Sequence, residues 1–571
     1  MRSLLLFLYL CLVSSKGAGA LDPNLPFMEY LDQNHLVCLK WGFDDLQGTI
    51  TFKFVVNTTG WVGFGFSPNG GMQGADIVMG GLGSSGSYFK DYHATGNTMP
   101  LEDMEQSYTL LSLSESDGQT SMTFQRAIVS CDQQDFQITA QPIKLIYAYG
   151  TTDAIRYHGA RRGTKEVNLL NYMARTTLTN VNFLSATVDN ITVPATHTYY
   201  HCKLMNFPRL ITKHHIIVVE PVIENADMVH HMLLYRCPSY VTQPYDSPCF
   251  QGDMQELCMG VVATWGVGGG VMDLPENVGI PVGGEDSDTF YRLEIHYNNP
   301  NNESGRTDSS GLRLYYTAQL RQHDAGILMT GVMPGGHMMY KIPPKATQFR
   351  TYGVCNTTLI SQLLDPMPDL QVFAVLMHTH LAGRKVRVGH FTRNGTQIDF
   401  LGLDENYDFD LQQLTNMGVI KTIKQGDEIA VECTYSTASR TAVTTMGLGT
   451  MNEMCLAFLY YYPAINITTC QSHPNTMHPL MNTSYQMFEG TTAPDQDEIA
   501  AYERLLKTVP QLQFVSDDSS NFSGYADGMV REMMKTPTVT CKTPNASSRL
   551  VTSWIVNPAG VILLLLWIAI I

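Results

Sequence analysis

Apolar and polar residues alternate along most of this chain, and that alternation predicts strands rather than helices. The segment 50–67, ITFKFVVNTTGWVGFGFS, alternates in this way and then turns on glycines. Similar stretches recur over residues 35–150 at the spacing of a β-sandwich. Residues 35–150 are therefore predicted to form an all-β N-terminal domain.

Two further blocks of short strands follow. Residues 196–345 contain HHIIVVEPVI and RLEIHYNN, and residues 346–510 contain FAVLMHTH and EIAVECTY. Both blocks are predicted to be antiparallel β-sandwiches. One helix is expected over residues 495–508, because Pro494 precedes it, acidic residues fill its first turn and Lys507 lies in its last turn. The predicted fold class is all-β, with three sandwiches and a short helical segment near the C-terminus.

Both ends of the chain carry targeting patterns. Residues 1–20 have a basic start, an apolar middle and a small-residue end, which predicts a cleaved signal peptide. Residues 555–571 are uncharged and mostly apolar, but short for a spanning helix. Two alternatives are open for this tail: a lipid-attachment signal that is cleaved, or a short single-pass anchor. Either places the folded chain in the secretory pathway, attached to a membrane and facing the lumen or the cell exterior.

A metal-binding pattern lies in the third block. His378 and His380 are two positions apart in an apolar run, and residues i and i+2 of a strand point to the same face. Met454 comes from a separate stretch, MGLGTMNEMCLAFLYYYP. Two imidazoles with a thioether form a soft ligand set that favours copper over zinc or magnesium.

A second set lies in the middle block. His230 and His231 are adjacent in MVHHMLLYRC, and His296 lies in RLEIHYNN. Adjacent strand residues face opposite sides, so the pair can share one metal only where the strand twists, bulges or ends. The two sets predict two metal sites, one containing only nitrogen ligands and one containing sulfur.

Composition narrows the possible partners. The chain has 571 residues and a formal net charge of −16, which argues against nucleic acid as a partner. Of its 12 cysteines, Cys11 would leave with the signal peptide, so eleven remain and one is expected to be unpaired. Nine sequons are consistent with secretion and predict glycosylation at Asn57, Asn190, Asn302, Asn356, Asn394, Asn466, Asn482, Asn521 and Asn545.

The motifs HHM, LEIHYNNP, HTHLAGRKV and EMC…YYP, in this order, resemble those of the copper type II, ascorbate-dependent monooxygenases. The resemblance covers nearly all of the mature chain, and the N-terminal domain resembles a DOMON domain. It implies two copper ions per chain, with ascorbate as reductant and dioxygen as co-substrate. The implied reaction hydroxylates a C–H bond of a small organic substrate such as a phenethylamine.

The resemblance also implies a role for each site residue. His230, His231 and His296 would bind an electron-transfer copper, whereas His378, His380 and Met454 would bind the copper that activates dioxygen. Tyr200, two residues before Cys202, and His378 would be the catalytic residues. The further pair His214 and His215 is expected to be structural, because the family does not use it to bind metal.

Disulfide pairings follow from the resemblance as well. It implies the bridges Cys131–Cys541, Cys202–Cys249, Cys237–Cys258, Cys355–Cys470 and Cys433–Cys455, and it leaves Cys38 unpaired. A further family cysteine is replaced here by Leu359. The family cysteines that link subunits have no evident match here beyond Cys541, so an oligomer stays open but spare cysteines do not support a disulfide-linked one.

Two other classes of function are weighed against a copper monooxygenase. One is a cell-surface protein that keeps the copper or ligand site but has lost activity, since a fold does not fix a function. The other is a zinc hydrolase, which Met454 and the lack of an HExxH motif disfavour. Oxygen uptake with ascorbate would separate an active copper monooxygenase from both alternatives. Metal analysis would separate a copper protein from a zinc hydrolase.

Overall fold

The computed structural model describes residues 25–535 except 33, 45–46, 85, 140–142, 171–180, 250–257, 334–340, 476–477, 482–487, 489–493, 518–521 and 524–526. The predicted signal peptide and the C-terminal tail lie outside the described residues. Within the described part, no helix is long and apolar enough to cross a membrane.

The N-terminal sandwich is built from two antiparallel sheets, ordered β1-β2-β3-β9-β8 and β11-β10-β4-β5-β6-β7. Alternate side chains of β3 and β9 are buried, as the alternating sequence predicts. Phenylalanines 52, 54, 64, 66 and 124 fill the space between the sheets. In chain order, β1 to β11 are Phe27–Tyr30, Val37–Asp44, Thr49–Val56, Val62–Ser67, Asp76–Gly83, Gly86–His93, Leu101–Glu102, Tyr108–Ser116, Gln119–Ala127, Ile143–Tyr149 and Arg162–Val167.

A buried charged network lies at one end of this sandwich. Arg126 donates to Asp76 at 2.8 Å and to the Tyr108 hydroxyl at 2.8 Å, and Tyr108 donates to Asp76 at 2.8 Å. Asp91 lies nearby, accepts from the Ser107 amide at 3.0 Å and is only 1% exposed. Burial, and then the proximity of Asp76, raises the pKa of Asp91 to about 8.

Asp91→Asn should stabilise the protein at pH 8 by at least about 1 kcal/mol but have little effect near pH 4. The raised pKa means that the folded state keeps a proton that the unfolded state loses above pH 4. Wild-type stability should therefore fall as pH rises from 4 to 8. Asparagine can still accept from Ser107 and carries no charge. Urea unfolding at both pH values checks this, with the exposed Asp117→Asn as control; a pH-independent difference would contradict it.

The middle sandwich comprises β12 to β24. Its two main sheets have the orders β12-β23-β15-β20-β24 and β17-β14-β21-β16-β18, with β19 beside β15 and a separate β13-β22 pair. In chain order, β12 to β24 are Asn182–Thr187, Ile191–Val193, Thr198–Asn206, Lys213–Val222, Val229–Arg236, Tyr245–Pro248, Gly260–Gly266, Met272–Asp273, Val278–Gly283, Phe290–Asn298, Arg306–Asp308, Gly311–Thr317 and His323–Asp324.

The C-terminal sandwich comprises β25 to β38. Its sheets have the orders β31-β28-β34-β25-β35-β36-β37 and β27-β32-β29-β30, with β38 beside β36 and a separate β26-β33 pair. In chain order, β25 to β38 are Gly326–Val332, Lys341–Ile342, Phe349–Asn356, Leu370–His378, Gly383–Phe391, Gln397–Asp404, Leu414–Ile423, Glu428–Tyr435, Thr444–Thr445, Leu456–Tyr462, Thr469–Pro474, Gln511–Ser516, Phe522–Ser523 and Asp527–Gly528.

Two α-helices lie in the described part of this last sandwich. Helix α2, Gln496–Thr508, begins where the Asp495 side chain accepts from the Asp497 amide, which confirms the predicted helix. Helix α1, Thr357–Leu363, was not predicted; Asn356 caps it by accepting from Thr358. Short 3-10 turns lie at Gly284–Asp286 and Pro479–Met481. The all-β class with a short helical segment is thus confirmed.

Three strands lie outside the predicted bounds of the domains whose sheets they join. β12 pairs with β23 inside the middle sandwich, although it precedes residue 196. β25 pairs with β34 and β35 of the C-terminal sandwich, although it precedes residue 346. β11 pairs with β10, although it follows residue 150. The differences at β12 and β25 reflect long-range pairing, which local alternation does not encode.

Four disulfides join described cysteines, and they are four of the pairings that the resemblance implies. They are Cys202–Cys249, Cys237–Cys258, Cys355–Cys470 and Cys433–Cys455. Such bridges form in an oxidising compartment, here the secretory pathway. Of the remaining predicted bridge, Cys541 lies outside the described residues.

The prediction that Cys38 is unpaired is wrong. Cys38 is disulfide-bonded, and no described cysteine is a free thiol. The odd count of cysteines predicted one unpaired thiol and the family resemblance left Cys38 as that thiol, but neither carries information about which sulfur atoms this fold brings together.

Six of the nine sequons lie on described residues. The asparagines at 57, 190, 302, 394 and 466 are exposed, and Asn356 is half-buried at the start of α1. Those at 482, 521 and 545 lie outside the described residues. Glycosylation remains a prediction at all nine.

Candidate metal centre

The first histidine set lies on two neighbouring strands of the middle sandwich. His231 of β16 is the direct cross-strand partner of His296 of β21. The register shifts between Val229 and His231, as it does in a β-bulge. This irregularity lets the adjacent His230 turn towards the same point as His231, which a regular strand does not allow.

The Nδ1 atoms of the three imidazoles converge. His231 Nδ1 lies 3.3 Å from His230 Nδ1 and 3.3 Å from His296 Nδ1. One nitrogen from each ring lies within 4.8 Å of the others. His230 Nε2 donates to the Phe409 carbonyl at 3.0 Å, so Nδ1 of the neutral ring keeps its lone pair. Three converging nitrogens of this kind suit a copper or zinc ion.

Burial keeps these imidazoles neutral. Burial, and then the proximity of His378, lowers the pKa of His230 to about 3. Burial also holds the pKa values of His231 and His296 well below that of a free histidine. Neutral imidazole is the metal-binding form, so the set needs to release no proton to bind an ion at neutral pH.

The second set begins where β28 ends. His378 Nδ1 donates to Gln412 Oε1 at 2.7 Å, and His380 Nδ1 donates to the Asn452 carbonyl at 3.2 Å. Both contacts leave Nε2 as the available ligand atom. The buried His380 Nε2 has no hydrogen-bond partner in the described part of the chain. An orphaned, buried nitrogen is costly unless something binds it, and a metal ion fits that need.

Contacts of the Met454 backbone and of the neighbouring Glu453 hold Met454 beside His378 and His380. The neighbouring Glu453 accepts from the His380 amide at 2.9 Å and from the Ala382 amide at 2.6 Å. The Tyr435 hydroxyl donates to the Met454 carbonyl at 2.8 Å. Burial lowers the pKa of His378 to about 4 and that of His380 well below its usual range. This set therefore also presents neutral imidazoles.

The two sets face each other across the contact between the middle and C-terminal sandwiches. The His231 and His378 ring centroids are 4.8 Å apart, and those of His296 and His380 are 6.3 Å apart. None of the six side chains is more than 7% exposed. The five imidazoles form one buried cluster, with Met454 beside it.

Family models identify the three sandwiches. The N-terminal domain of the copper type II ascorbate-dependent monooxygenases matches residues 184–304, and the C-terminal domain of the same family matches residues 323–482. A DOMON domain matches residues 33–150. The chain belongs to the copper type II ascorbate-dependent monooxygenase family.

Relatives in this monooxygenase family agree with that assignment. The putative DBH-like monooxygenase protein 2 of Homo sapiens is 38% identical, over 80% of this chain and 92% of its own. The DBH-like monooxygenase protein 1 of Gallus gallus is 37% identical, over 81% of this chain and 77% of its own. Dopamine beta-hydroxylase of Homo sapiens is 32% identical, over 82% of this chain and 78% of its own.

One loop of the chain contacts both ligand sets, and the sequence pattern missed it. The Phe409 ring stacks on His230 at 3.8 Å. Gln412 binds His378 through Oε1 and donates from Nε2 to the Thr379 carbonyl at 3.3 Å. The Tyr407 hydroxyl donates to that same carbonyl at 2.9 Å. The segment DENYDFDLQQ has no metal-ligand spacing, so only the fold reveals its role.

Tyr200 lies against the first set. Its ring is nearly parallel to that of His296, at 4.4 Å, and its hydroxyl donates to the Leu448 carbonyl at 2.9 Å. Burial holds the pKa of the Tyr200 hydroxyl well above its usual value. Tyr200 thus bridges the middle sandwich and the segment that leads to Met454.

The pair His214 and His215 binds protein groups elsewhere. His215 Nε2 contacts Asp324 at 2.8 Å, and His215 Nδ1 accepts from the Arg321 amide at 2.9 Å. His214 Nδ1 contacts the Thr212 carbonyl at 2.7 Å. Both nitrogens of His215 are therefore in use within the fold, consistent with a structural role.

Proposed function

We propose that this chain is an active monooxygenase that hydroxylates a C–H bond of a small organic substrate, such as a phenethylamine. Dioxygen is the co-substrate, and ascorbate supplies the electrons. The observation that carries the proposal is the meeting of two chemically different ligand sets, one with three imidazole Nδ1 atoms and one with two imidazoles beside Met454.

The proposal assigns one copper ion to each set. His230, His231 and His296 would hold an electron-transfer copper, and His378, His380 and Met454 would hold the copper that activates dioxygen. Copper would supply the redox chemistry and the activation of dioxygen. The Met454 thioether is a soft ligand, which favours copper at the second set.

The protein groups orient the ligands and keep water away. Gln412 and the Asn452 carbonyl hold the hydrogens of His378 and His380 on Nδ1, which directs both Nε2 lone pairs towards the ion. Glu453 fastens the His380 backbone next to Met454. Tyr200 packs against His296 and contributes to catalysis by holding the Leu448 segment in place.

Burial of the cluster implies a motion during turnover. With His231 and His378 rings 4.8 Å apart and almost unexposed, a substrate reaches His378 only if the middle and C-terminal sandwiches separate at this contact. Closing the contact afterwards would exclude water from the reacting oxygen.

The proposal also covers the location of the protein, which rests on the two predicted targeting segments. The signal peptide would deliver the three sandwiches to the lumen, and the uncharged tail would hold them at the outer face of a membrane, through a lipid or a short helix. Release by a phosphatidylinositol-specific phospholipase supports the lipid, whereas retention with an intact C-terminal tag supports the helix. Full-length protein free in the medium contradicts both.

The deciding experiment is metal analysis combined with turnover. We expect two copper ions per chain and ascorbate-dependent oxygen uptake with a phenethylamine or metabolite mixture. The products should be heavier by one oxygen atom. Zinc in place of copper would refute the metal assignment. Two copper ions without oxygen uptake or product would favour the alternative, a copper-binding surface protein that has lost activity.

A further inference from the structure

A cleft of about 800 Å³ lies between the N-terminal and middle sandwiches, away from the proposed substrate contact. Strands β1 and β10 line one side with Tyr30, Tyr147 and Tyr149, and the segment 267–271 lines the other. Trp265 also belongs to its wall. Ligand pockets typically enclose about 300–1,000 Å³, and aromatic walls with a few polar groups are typical of them.

The wall of this cleft is one strand away from the first histidine set. Trp265 and Gly266 end β18, and Gly266 is the cross-strand partner of His231. The next residue, Val267, donates its amide to the His230 carbonyl at 2.8 Å. Cross-strand partners lie about 5 Å apart, so a molecule in the cleft is close enough to exchange an electron with an ion held by this set.

Cationic groups line the mouth of the cleft. Arg161 Nε donates to the Tyr149 carbonyl at 3.3 Å, and Arg162 donates to the Tyr157 hydroxyl at 3.4 Å. Both contacts are long and occupy one of the five donors of each guanidinium. Lys165 donates to the Gly268 carbonyl at 3.3 Å. The two arginines can therefore offer further donors to an anion.

The acidic groups of the cleft are largely engaged with the protein. Glu220 binds Arg313 and the Tyr315 hydroxyl, both at 2.8 Å. Asp32 accepts from the amides of Asn34 and Val37. Glu29 also lies in the lining of the cleft. The cleft thus combines cations with aromatic faces.

We infer that this cleft binds the ascorbate monoanion, a small planar ring with one negative charge and several hydroxyl groups. The choice of ascorbate rests on the proposed function, but the existence of the cleft does not. Arg161 and Arg162 bind the anionic oxygen, and the ring packs on an aromatic face.

The electron balance is simple. Each ascorbate monoanion loses one electron and one proton and leaves as the monodehydroascorbate radical. The electron would pass to a copper ion held by His230, His231 and His296, and the proton to solvent. Two ascorbates supply the two electrons with which one dioxygen, one C–H bond and two protons yield one hydroxyl product and one water.

Binding of labelled ascorbate to the metal-free secreted chain, by equilibrium dialysis under argon, tests the site without copper or turnover. Arg161→Gln with Arg162→Gln should weaken binding about tenfold to a hundredfold, the range for losing hydrogen bonds from charged groups. The single variant Arg162→Gln changes only an exposed residue, and it should also weaken ascorbate binding. The control Arg209→Gln removes an exposed arginine outside the cleft and should have no effect.

Unchanged binding in the double variant, or no saturable binding by the wild type, would overturn the inference. If ascorbate binds as expected but the chain holds no copper or forms no product, the proposed function is refuted. The ascorbate site is then still supported. The two failures are therefore distinguishable.

A second measurement uses the copper-loaded chain. Decay of the Cu(II) electron paramagnetic resonance signal should be about tenfold slower in the double variant when ascorbate is the reductant. With neutral hydroquinone, the decay rates should be equal in variant and wild type. Slowing with both reductants would show that the variant disturbs the copper site, and slowing with neither would show that ascorbate reacts elsewhere; either result overturns the inference.

Discussion

Replacing Met454 with isoleucine should abolish ascorbate-dependent hydroxylation, with a loss of roughly 100-fold or more, while one copper ion per chain remains bound. Changes to groups that merely support a ligand cost about 10- to 100-fold, so loss of the ligand itself should cost at least as much. Isoleucine is close to methionine in volume, and Met454 is 7% exposed, so the side chain should still pack. Elemental analysis and product formation measure the two effects separately.

The neighbouring Met451→Ile provides a matched control, because Met451 is 56% exposed and lies three residues away. It should leave both copper ions and turnover unchanged. Met454→Ile with full turnover would show that the thioether is not a ligand, and loss of both copper ions would show that the two sets do not bind independently.

His231→Ala separates the two proposed roles further. It removes one of three converging nitrogens, so the first copper ion should be lost and electron supply should stop. The His378, His380 and Met454 set would still bind an ion. Turnover by this variant at the wild-type rate would refute the assignment of the first set.

Local pattern was enough to predict the all-β class of this fold and one of its two described α-helices. Alternation of the kind seen in Thr49–Val56 reports which face of a strand is buried, and every second residue there is indeed buried. The helix at Gln496–Thr508 was predictable because its cap and charges are encoded within one turn of each end.

The histidine pair shows where such reasoning needs the fold. The adjacency of His230 and His231 predicted that a shared metal requires an irregular strand, and the register shift before His231 supplies one. The sequence did not indicate that His231 and His378 come within 4.8 Å, because that distance depends on how two separate sandwiches pack. Phe409 and Gln412 were missed for the same reason, since their contacts span 179 and 34 residues of chain.

The pairing of strands and of cysteines is the least predictable feature of this fold. β11 lies outside the predicted bounds of the N-terminal domain, because a short polar edge strand has little alternation of its own. The odd count and the family resemblance left Cys38 unpaired, whereas Cys38 is disulfide-bonded. In both cases the missing information was which other segment lies alongside.

The two disulfides of the C-terminal sandwich should differ in their contribution to stability. Cys355–Cys470 closes a segment of 115 residues, and Cys433–Cys455 closes one of 22. All four cysteines are fully buried, so local packing losses on replacement by alanine are similar. The entropy lost by the unfolded chain grows with the length of the closed loop, which gives about 5 kcal/mol for the first bridge and about 3 kcal/mol for the second.

Removing the first bridge, by Cys355→Ala with Cys470→Ala, should therefore destabilise the chain more than Cys433→Ala with Cys455→Ala. Urea unfolding of the metal-free protein is the right comparison, because Cys455 follows Met454 and bound copper would stabilise the wild type selectively. A larger loss for the Cys433–Cys455 variant would mean that this bridge acts by holding the Met454 segment in place in the folded state. In that case copper affinity at the second set should fall in parallel, whereas a purely entropic bridge would leave that affinity unchanged.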